Sequence, residues 1–213
     1  MPNLRFEPSV RYRNELLLPL SLYPPIRVPA GVSARAPCFI SAAEMQRLAP
    51  AKTIKVIAGL TTAEFSLRFA NPALQWRQVR SGGALTRWQF QGGVVVLDVL
   101  ISIYVAEGFQ SYAEALAVIL EHEFLHVQDE IEIVFRFMPT AALRDQYVQQ
   151  YLCQGKEVDD SMYRQWFAGT GFQNWLHDGI WLPERNRREA VRDSGAEWES
   201  FRRRMDEFQR TPH

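Results

Sequence analysis

The sequence predicts an α+β fold in which a small, partly antiparallel sheet packs against one long helix and a C-terminal helix closes the other side. Three observations predict it. Trp88 to Phe90 and Val94 to Val105 are rich in β-branched and aromatic residues. Leu116, Leu120, Val127, Ile131 and Val134 recur at helical spacing. Near the end of the chain, Ala190, Val191, Ser194, Trp198, Phe201, Met205 and Phe208 form an apolar stripe with the same period.

Taken in order, residues 1–40 hold seven of the twelve prolines, at positions 2, 8, 19, 24, 25, 29 and 37. Proline fixes φ and lacks an N–H, so this segment is expected as an extended or looped arm set apart from a domain spanning 41–213. Ser41 and Glu44 make a Ser-x-x-Glu capping box for a short helix to Leu48, closed before Pro50. Lys55 to Leu60 and Phe65 to Phe69 are short strand candidates. Gln91-Gly92-Gly93 separates the two β-rich runs and predicts a hairpin turn between them. A second capping box at Ser111 and Glu114 opens a helix expected from Tyr112 to about Phe137, stopped by Pro139. Ala141 to Leu152 continues helical, while Gly155 to Asp160 and Gly169 to Gly171 read as loops. The last helix is expected to start near Pro183 and Glu184.

Composition bounds the function classes. With 47% hydrophobic residues, 12% aromatics and six Trp among 213 residues, the chain has material for one packed core and does not read as disordered. Twenty-four basic residues offset twenty-four acidic ones, so no global field draws it to nucleic acid or to an anionic membrane. The arginines of the last helix are interleaved with acids, which describes a solvated face rather than a nucleic-acid stripe. No apolar run reaches the roughly eighteen uncharged residues of a spanning helix. Arginines and prolines interrupt the first thirty residues, so a standard secretory signal is not expected and the chain reads as made in the cytoplasm. Cys38 and Cys153 read more readily as two small hydrophobes than as a disulfide.

Residues 122 to 126 are His-Glu-Phe-Leu-His, an HExxH pattern in the middle of the best-supported helix. Four residues advance an α-helix by slightly more than a turn, so His122 and His126 share a face and two ring nitrogens can reach one ion. Glu123 lies roughly 100° around the helix, placed to take a proton from water as a general base without ligating the metal. With this chain's own composition of four His, the pattern arises by chance in about one such chain in two hundred.

The strand run, the helix carrying HEFLH and the later helix resemble the zincin metallopeptidases. That resemblance implies a catalytic Zn2+ held by His122 and His126, Glu123 as the catalytic base, and amide hydrolysis of a protein or peptide substrate. It also implies that the strand before the motif helix, here Val94 to Val105, is an exposed edge along which an extended substrate lies. The metzincin branch needs Gly and His at 129 and 132, where this chain has Asp129 and Glu132, and is excluded. A gluzincin-like site takes its third ligand from a later helix, often as ExxxD, and Glu189 with Asp193 matches: Glu189 as ligand, Asp193 bonding a ligand histidine from behind. The C-terminal helix would then close the metal site.

His177, in Trp-Leu-His-Asp-Gly, is the rival third ligand, with Glu157, Asp159, Asp160, Glu184 and Glu197 behind it. Asp129 and Glu130 read either as orienters of the imidazoles or as an exposed helix face. A small zincin with a Pro-rich arm is similar to metallopeptidase toxins or effectors delivered by specialised secretion machinery, which implies that machinery or an immunity protein as partner. The motif does not distinguish a cell-wall peptide from another peptide as substrate; the reading from another class is a non-catalytic interaction or immunity protein whose helix merely contains the pattern.

Overall fold

The computed structural model describes residues 2–13, 26–50, 58–69, 74–81 and 85–210. In chain order the elements are β1 (Asn3–Tyr12), β2 (Cys38–Ile40), α1 (Ala42–Leu48), β3 (Gly59–Phe69), β4 (Gln75–Ser81), β5 (Leu85–Ala106), α2 (Ala113–Glu132), α3 (Met138–Arg144), β6 (Val158–Asp159), α4 (Asp160–Met162), α5 (Gly171–Asn174), α6 (Leu182–Arg192) and α7 (Ala196–Arg210). Wide, π-type turns join several of the later helices, as at Ile133–Phe137 and Trp175–Trp181. The fold is α+β. No helix among the described residues is long and apolar enough to cross a membrane.

Strand β5 is the hub, because β1, β2, β3, β4 and β6 all hydrogen-bond to it. Val95, Leu97, Val99, Ile101, Ile103 and Val105 alternate along it and are at most 1% exposed. Period-two burial of this kind pins one face of a strand to the core, at roughly 1.5–3 kcal/mol for each large aliphatic side chain. Val94 to Val105 is therefore not the exposed edge that the sequence suggested. Among the described residues it belongs to the strand to which the other five strands pair.

Cα proximity divides the chain into two compact units. The first comprises Met1–Val10, Phe65–Val99 and Glu132–Arg185. In it β4 pairs antiparallel with β5 from Gln75↔Gly92 to Ser81↔Leu85, and β6 pairs antiparallel at Arg87↔Asp159 and Trp88↔Val158. The hairpin is thus β4–β5, and Gln91-Gly92-Gly93 lies inside β5 rather than at a turn. Gly92 and Gly93 have φ of 151° and 157°, and the register slips between Gln75 and Trp76 opposite them. A Cβ on Gly93 would stand 2.9 Å from Leu74 Cα, so the glycines serve a bulge and a close backbone approach. Aromatic rings fill this unit: Trp88 stacks on Tyr163 at 4.1 Å, and Trp76 meets Phe90, Tyr163 and Phe167. Pro139 does not stop the chain's helical course; it sits in the first turn of α3, where a missing N–H costs nothing.

The second unit comprises Arg11–Glu64, Leu100–Ile131 and Asn186–His213. Strand β2 runs parallel to the end of β5, with Cys38↔Tyr104 and Ile40↔Ala106 in register. Helix α1 follows, with the Glu44 N–H donating to Ser41 Oγ at 3.2 Å and the Glu44 carboxylate turned to Arg47. Met45, Leu60 and Ala106 form a small core there. Strand β3 covers part of the expected Lys55 to Leu60 strand, of which residues 55–57 lie outside the described residues.

The 1–40 segment contributes β1 and β2 at its two ends, and residues 14–25 of it lie outside the described residues. Cys38 is exposed and Cys153 half-buried; both are free thiols, and burial pushes the Cys153 thiol up. The single last helix foreseen in the sequence is two helices. The chain breaks at 193–195, where the Ser194 hydroxyl bonds to the Ala190 carbonyl and Gly195 weakens helix propagation, and Val191 is left 59% exposed.

Candidate metal centre

Helix α2 places His122 and His126 one turn apart, and their Nε2 atoms converge to 3.3 Å with the rings nearly perpendicular, at 89°. Spacing alone brings two imidazoles to one side of a helix; their rotamers need a further cause. For His122 it is aromatic packing from α7. Phe201 stacks on its ring at 4.7 Å and 24°, Trp198 lies at 5.6 Å, and the side chain is only 7% exposed.

The third group arrives from the break between α6 and α7. Asp193 Oδ1 lies 3.3 Å from His126 Nε2 and 3.6 Å from His122 Nε2. Among the described residues these three offer ligand atoms all within 4.8 Å of one another. Donors about 2.0–2.2 Å from a tetrahedral zinc stand roughly 3.3–3.5 Å apart, so the separations fit such an ion. Two imidazole nitrogens and a carboxylate oxygen aimed at one point repel unless a cation or shared protons lie between them. The Asp193 side chain is 27% exposed as a whole, while the Oδ1 that faces the two rings is itself buried.

Beside the triad, Asp129 on α2 is 8% exposed and accepts from Arg192 Nε at 2.8 Å, from a second Arg192 nitrogen at 3.2 Å, and from Arg188 at 3.2 Å. Arg192 also reaches Glu197 in the first turn of α7. Bonding to Asp129, reinforced by Glu197, pushes the Arg192 pKa above its ordinary value despite its partial burial. Earlier on α2, Glu121 joins Arg204 of α7 at 2.7 Å and accepts the Arg27 backbone N–H at 3.2 Å.

Glu123, next to His122 on α2, is held by strand β3. It is 4% exposed, and its Oε2 accepts the Thr61 hydroxyl at 2.7 Å. Gly59 lies so close that a Cβ there would stand 2.5 Å from Glu123 Oε1 and 2.6 Å from Ile119 Cγ2. Strand β3 therefore grips this carboxylate through one hydroxyl and one bare backbone position.

Of the residues singled out in the sequence, the structure brings His122 and His126 together and gives the third place in the group to Asp193, the partner of Glu189 in the ExxxD pattern. Glu189 stands outside the group, one turn earlier on α6, where its carbonyl accepts the Asp193 N–H at 2.9 Å. His177 belongs to the first unit, bonded to Asp178 and packed on Phe65 and Trp181. Glu157 is exposed, Asp159 caps the Met162 N–H, and Asp160 binds Trp88 and Arg164. Glu184 is buried, and Glu197 pairs with Arg192. Asp129 and Glu130 do not form an exposed face: they are 8% and 4% exposed. Thr61 and Arg192 carried no motif by which the sequence could reveal them, and Phe201 stood out only as part of the apolar stripe of the last helix. Comparison with protein families, curated proteins and solved structures finds no match to this chain.

Proposed function

We propose that this chain is a zinc-dependent hydrolase of amide bonds in a protein or peptide, with His122, His126 and Asp193 as the metal ligands and Glu123 as the general base. The observation that carries the reading is the convergence of two helix-borne imidazoles and one carboxylate at zinc-like separations. A buried glutamate occupies the position next to the first histidine. On this reading the part of the sheet near Glu123 packs on α2, and α7 closes the centre over His122.

Zinc bound there would supply Lewis-acid polarisation of the scissile carbonyl and acidify a water. The chain's own part is to hold and move protons. Glu123, oriented by Thr61, takes the proton of the attacking water and passes it to the leaving amine. Phe201 and Trp198 keep the His122 ring from turning and exclude water from its far side.

Metal analysis of the purified chain tests the reading: about one zinc per chain is expected, falling to near zero in His122→Ala. Glu123→Gln is expected to keep its zinc and to lose cleavage of a quenched-fluorescent peptide library by 100-fold or more. A folded, metal-free wild type overturns the site, and unchanged cleavage by Glu123→Gln removes the base. Iron in place of zinc would redirect the chemistry, since two histidines and a carboxylate also suit non-haem iron.

A further inference from the structure

The centre takes two ligands from one rigid helix, but its third lies just past the end of another, in the turn Asp193-Ser194-Gly195. A ligand on a turn is only as well placed as the turn. Left to itself, such a carboxylate would sample many positions, and the ordering cost would be taken from metal affinity at the moment of binding.

Arg192 is the residue before it. Its guanidinium donates from Nε and a second nitrogen to the two oxygens of Asp129, at 2.8 and 3.2 Å, and from the remaining nitrogen to Glu197. Asp129 stands three positions after His126 on the helix that carries both histidines, and Arg188 at 3.2 Å braces the same carboxylate. One planar group thus ties the end of α6 to the ligand helix on one side and to the start of α7 on the other. The bond is two-pronged and charge-assisted, which fixes orientation as well as distance. Both partners are mostly shielded, with side-chain exposures of 21% and 11%.

Resting on the zinc reading above, we propose that Arg192 is a positioning residue which, clamped by Asp129, presets Asp193 as the third ligand and thereby sets the affinity of the centre for its metal. The alternative is a staple that holds α6 to α2 and has no bearing on the metal. The two differ in what they move: a staple changes melting temperature with and without zinc alike, whereas a preset ligand changes the zinc dissociation constant.

The test uses the full chain, stripped of metal and titrated with zinc against a chelator of known affinity, with circular dichroism to follow folding. Arg192→Gln and Asp129→Asn are each expected to weaken zinc binding by about 10- to 100-fold, the range found for groups that orient metal ligands. Arg192→Lys retains the charge but not the fork and should recover only part of that loss. The visible spectrum of the cobalt-loaded protein, which reports the ligand set, should change in Arg192→Gln towards that of Asp193→Ala. In a double-mutant cycle, Arg192→Gln should cost little once Asp193→Ala is present, because it acts through that carboxylate. If wild type binds no zinc, the site itself fails. If wild type binds tightly and Arg192→Gln and Asp129→Asn bind equally tightly, the clamp is refuted while the site stands, and additive losses in the cycle refute it as well. Should Arg192→Gln not fold, Asp129→Asn and Arg192→Lys carry the same measurement.

Discussion

The two units differ in where they concentrate rings and where they concentrate buried charge, although the first also buries Asp98 and Glu184. The first holds five of the six tryptophans, and its interior is a run of ring contacts in which Trp76, Trp88, Tyr163, Phe167 and Phe172 each touch at least one other aromatic. The second holds one tryptophan and buries four ionisable side chains on a single helix: His122, Glu123, Asp129 and Glu130. Ring packing adds about 0.5–1.5 kcal/mol per pair beyond the area it hides. Burying a charge costs several kcal/mol unless a partner compensates. A helix that concentrates such groups is poor economy for stability alone. It gains from any cation that binds only the folded form, since that binding adds to folding free energy.

The sharpest way to break this contrast is to damage the first unit and watch the second. Phe90 is 1% exposed and lies against Trp76 at 5.4 Å. Phe90→Ala is expected to destabilise the protein by roughly 3–5 kcal/mol, through lost transfer energy and an unfilled cavity. Denaturant unfolding reads that loss. Zinc affinity of the remaining folded protein, measured below the transition, should be unchanged; a parallel fall in affinity would show that the aromatic interior and the metal site are one energetic system.

Within the second unit the contrast is sharpened at Glu123. Thr61→Val keeps nearly the same shape and removes the hydroxyl that donates to Oε2, leaving a buried carboxylate oxygen short of a partner at a cost of about 1–3 kcal/mol. Gly59→Ala forces a Cβ to within 2.5 Å of Oε1 and must displace the carboxylate. Both variants should cleave the peptide library at least about tenfold more slowly while retaining zinc, because positioned proton transfer is worth 10²–10⁴-fold and only part of it is lost. Full activity in both would mean that β3 does not orient the base.

The half of the centre that could be read from the sequence is the half that needs only helix geometry. His122, Glu123 and His126 are fixed relative to one another by 3.6 residues per turn, wherever α2 goes. The third group is not local. The ExxxD pattern indicated the right face of the right helix, but Glu189 and Asp193 are one turn apart on it. Choosing between them depends on where α6 ends: it stops at Arg192, so Glu189 lies within it and Asp193 opens the turn with Ser194 and Gly195. The hairpin failed for a similar reason: Gly-Gly between two apolar runs serves a turn or a bulge equally well, and the close approach of Leu74 that decides for the bulge is a tertiary fact. With the glycines inside it, β5 is a single strand from Leu85 to Ala106 to which the other five pair, so Val94 to Val105 belongs to the hub of the sheet rather than to an edge. Thr61 had no signature, since a threonine in a strand ordinarily has no further role.

The smallest expected effect separates the units by pH. In the first unit, the Trp88 indole N–H donates to Asp160 at 2.8 Å and the Arg164 guanidinium at 2.6 Å; the two bonds hold the Asp160 carboxyl below its ordinary value of 3.8, the tryptophan contributing more. A carboxylate whose folded pKa is depressed binds fewer protons folded than unfolded, so its stabilisation is fully present above the unfolded pKa and is lost as pH falls through the folded one. Asp160→Asn should therefore lower stability slightly at pH 7, and wild type and variant should converge as the pH drops below about 4. Urea unfolding across that range reads the convergence. Asp160 is exposed enough for salt to screen the Arg164 part, so raising ionic strength should narrow the pH 7 gap without closing it, because the indole bond carries no net charge on the donor. If the gap instead widens on acidification, the carboxylate is not the form that the Trp88 and Arg164 contacts stabilise.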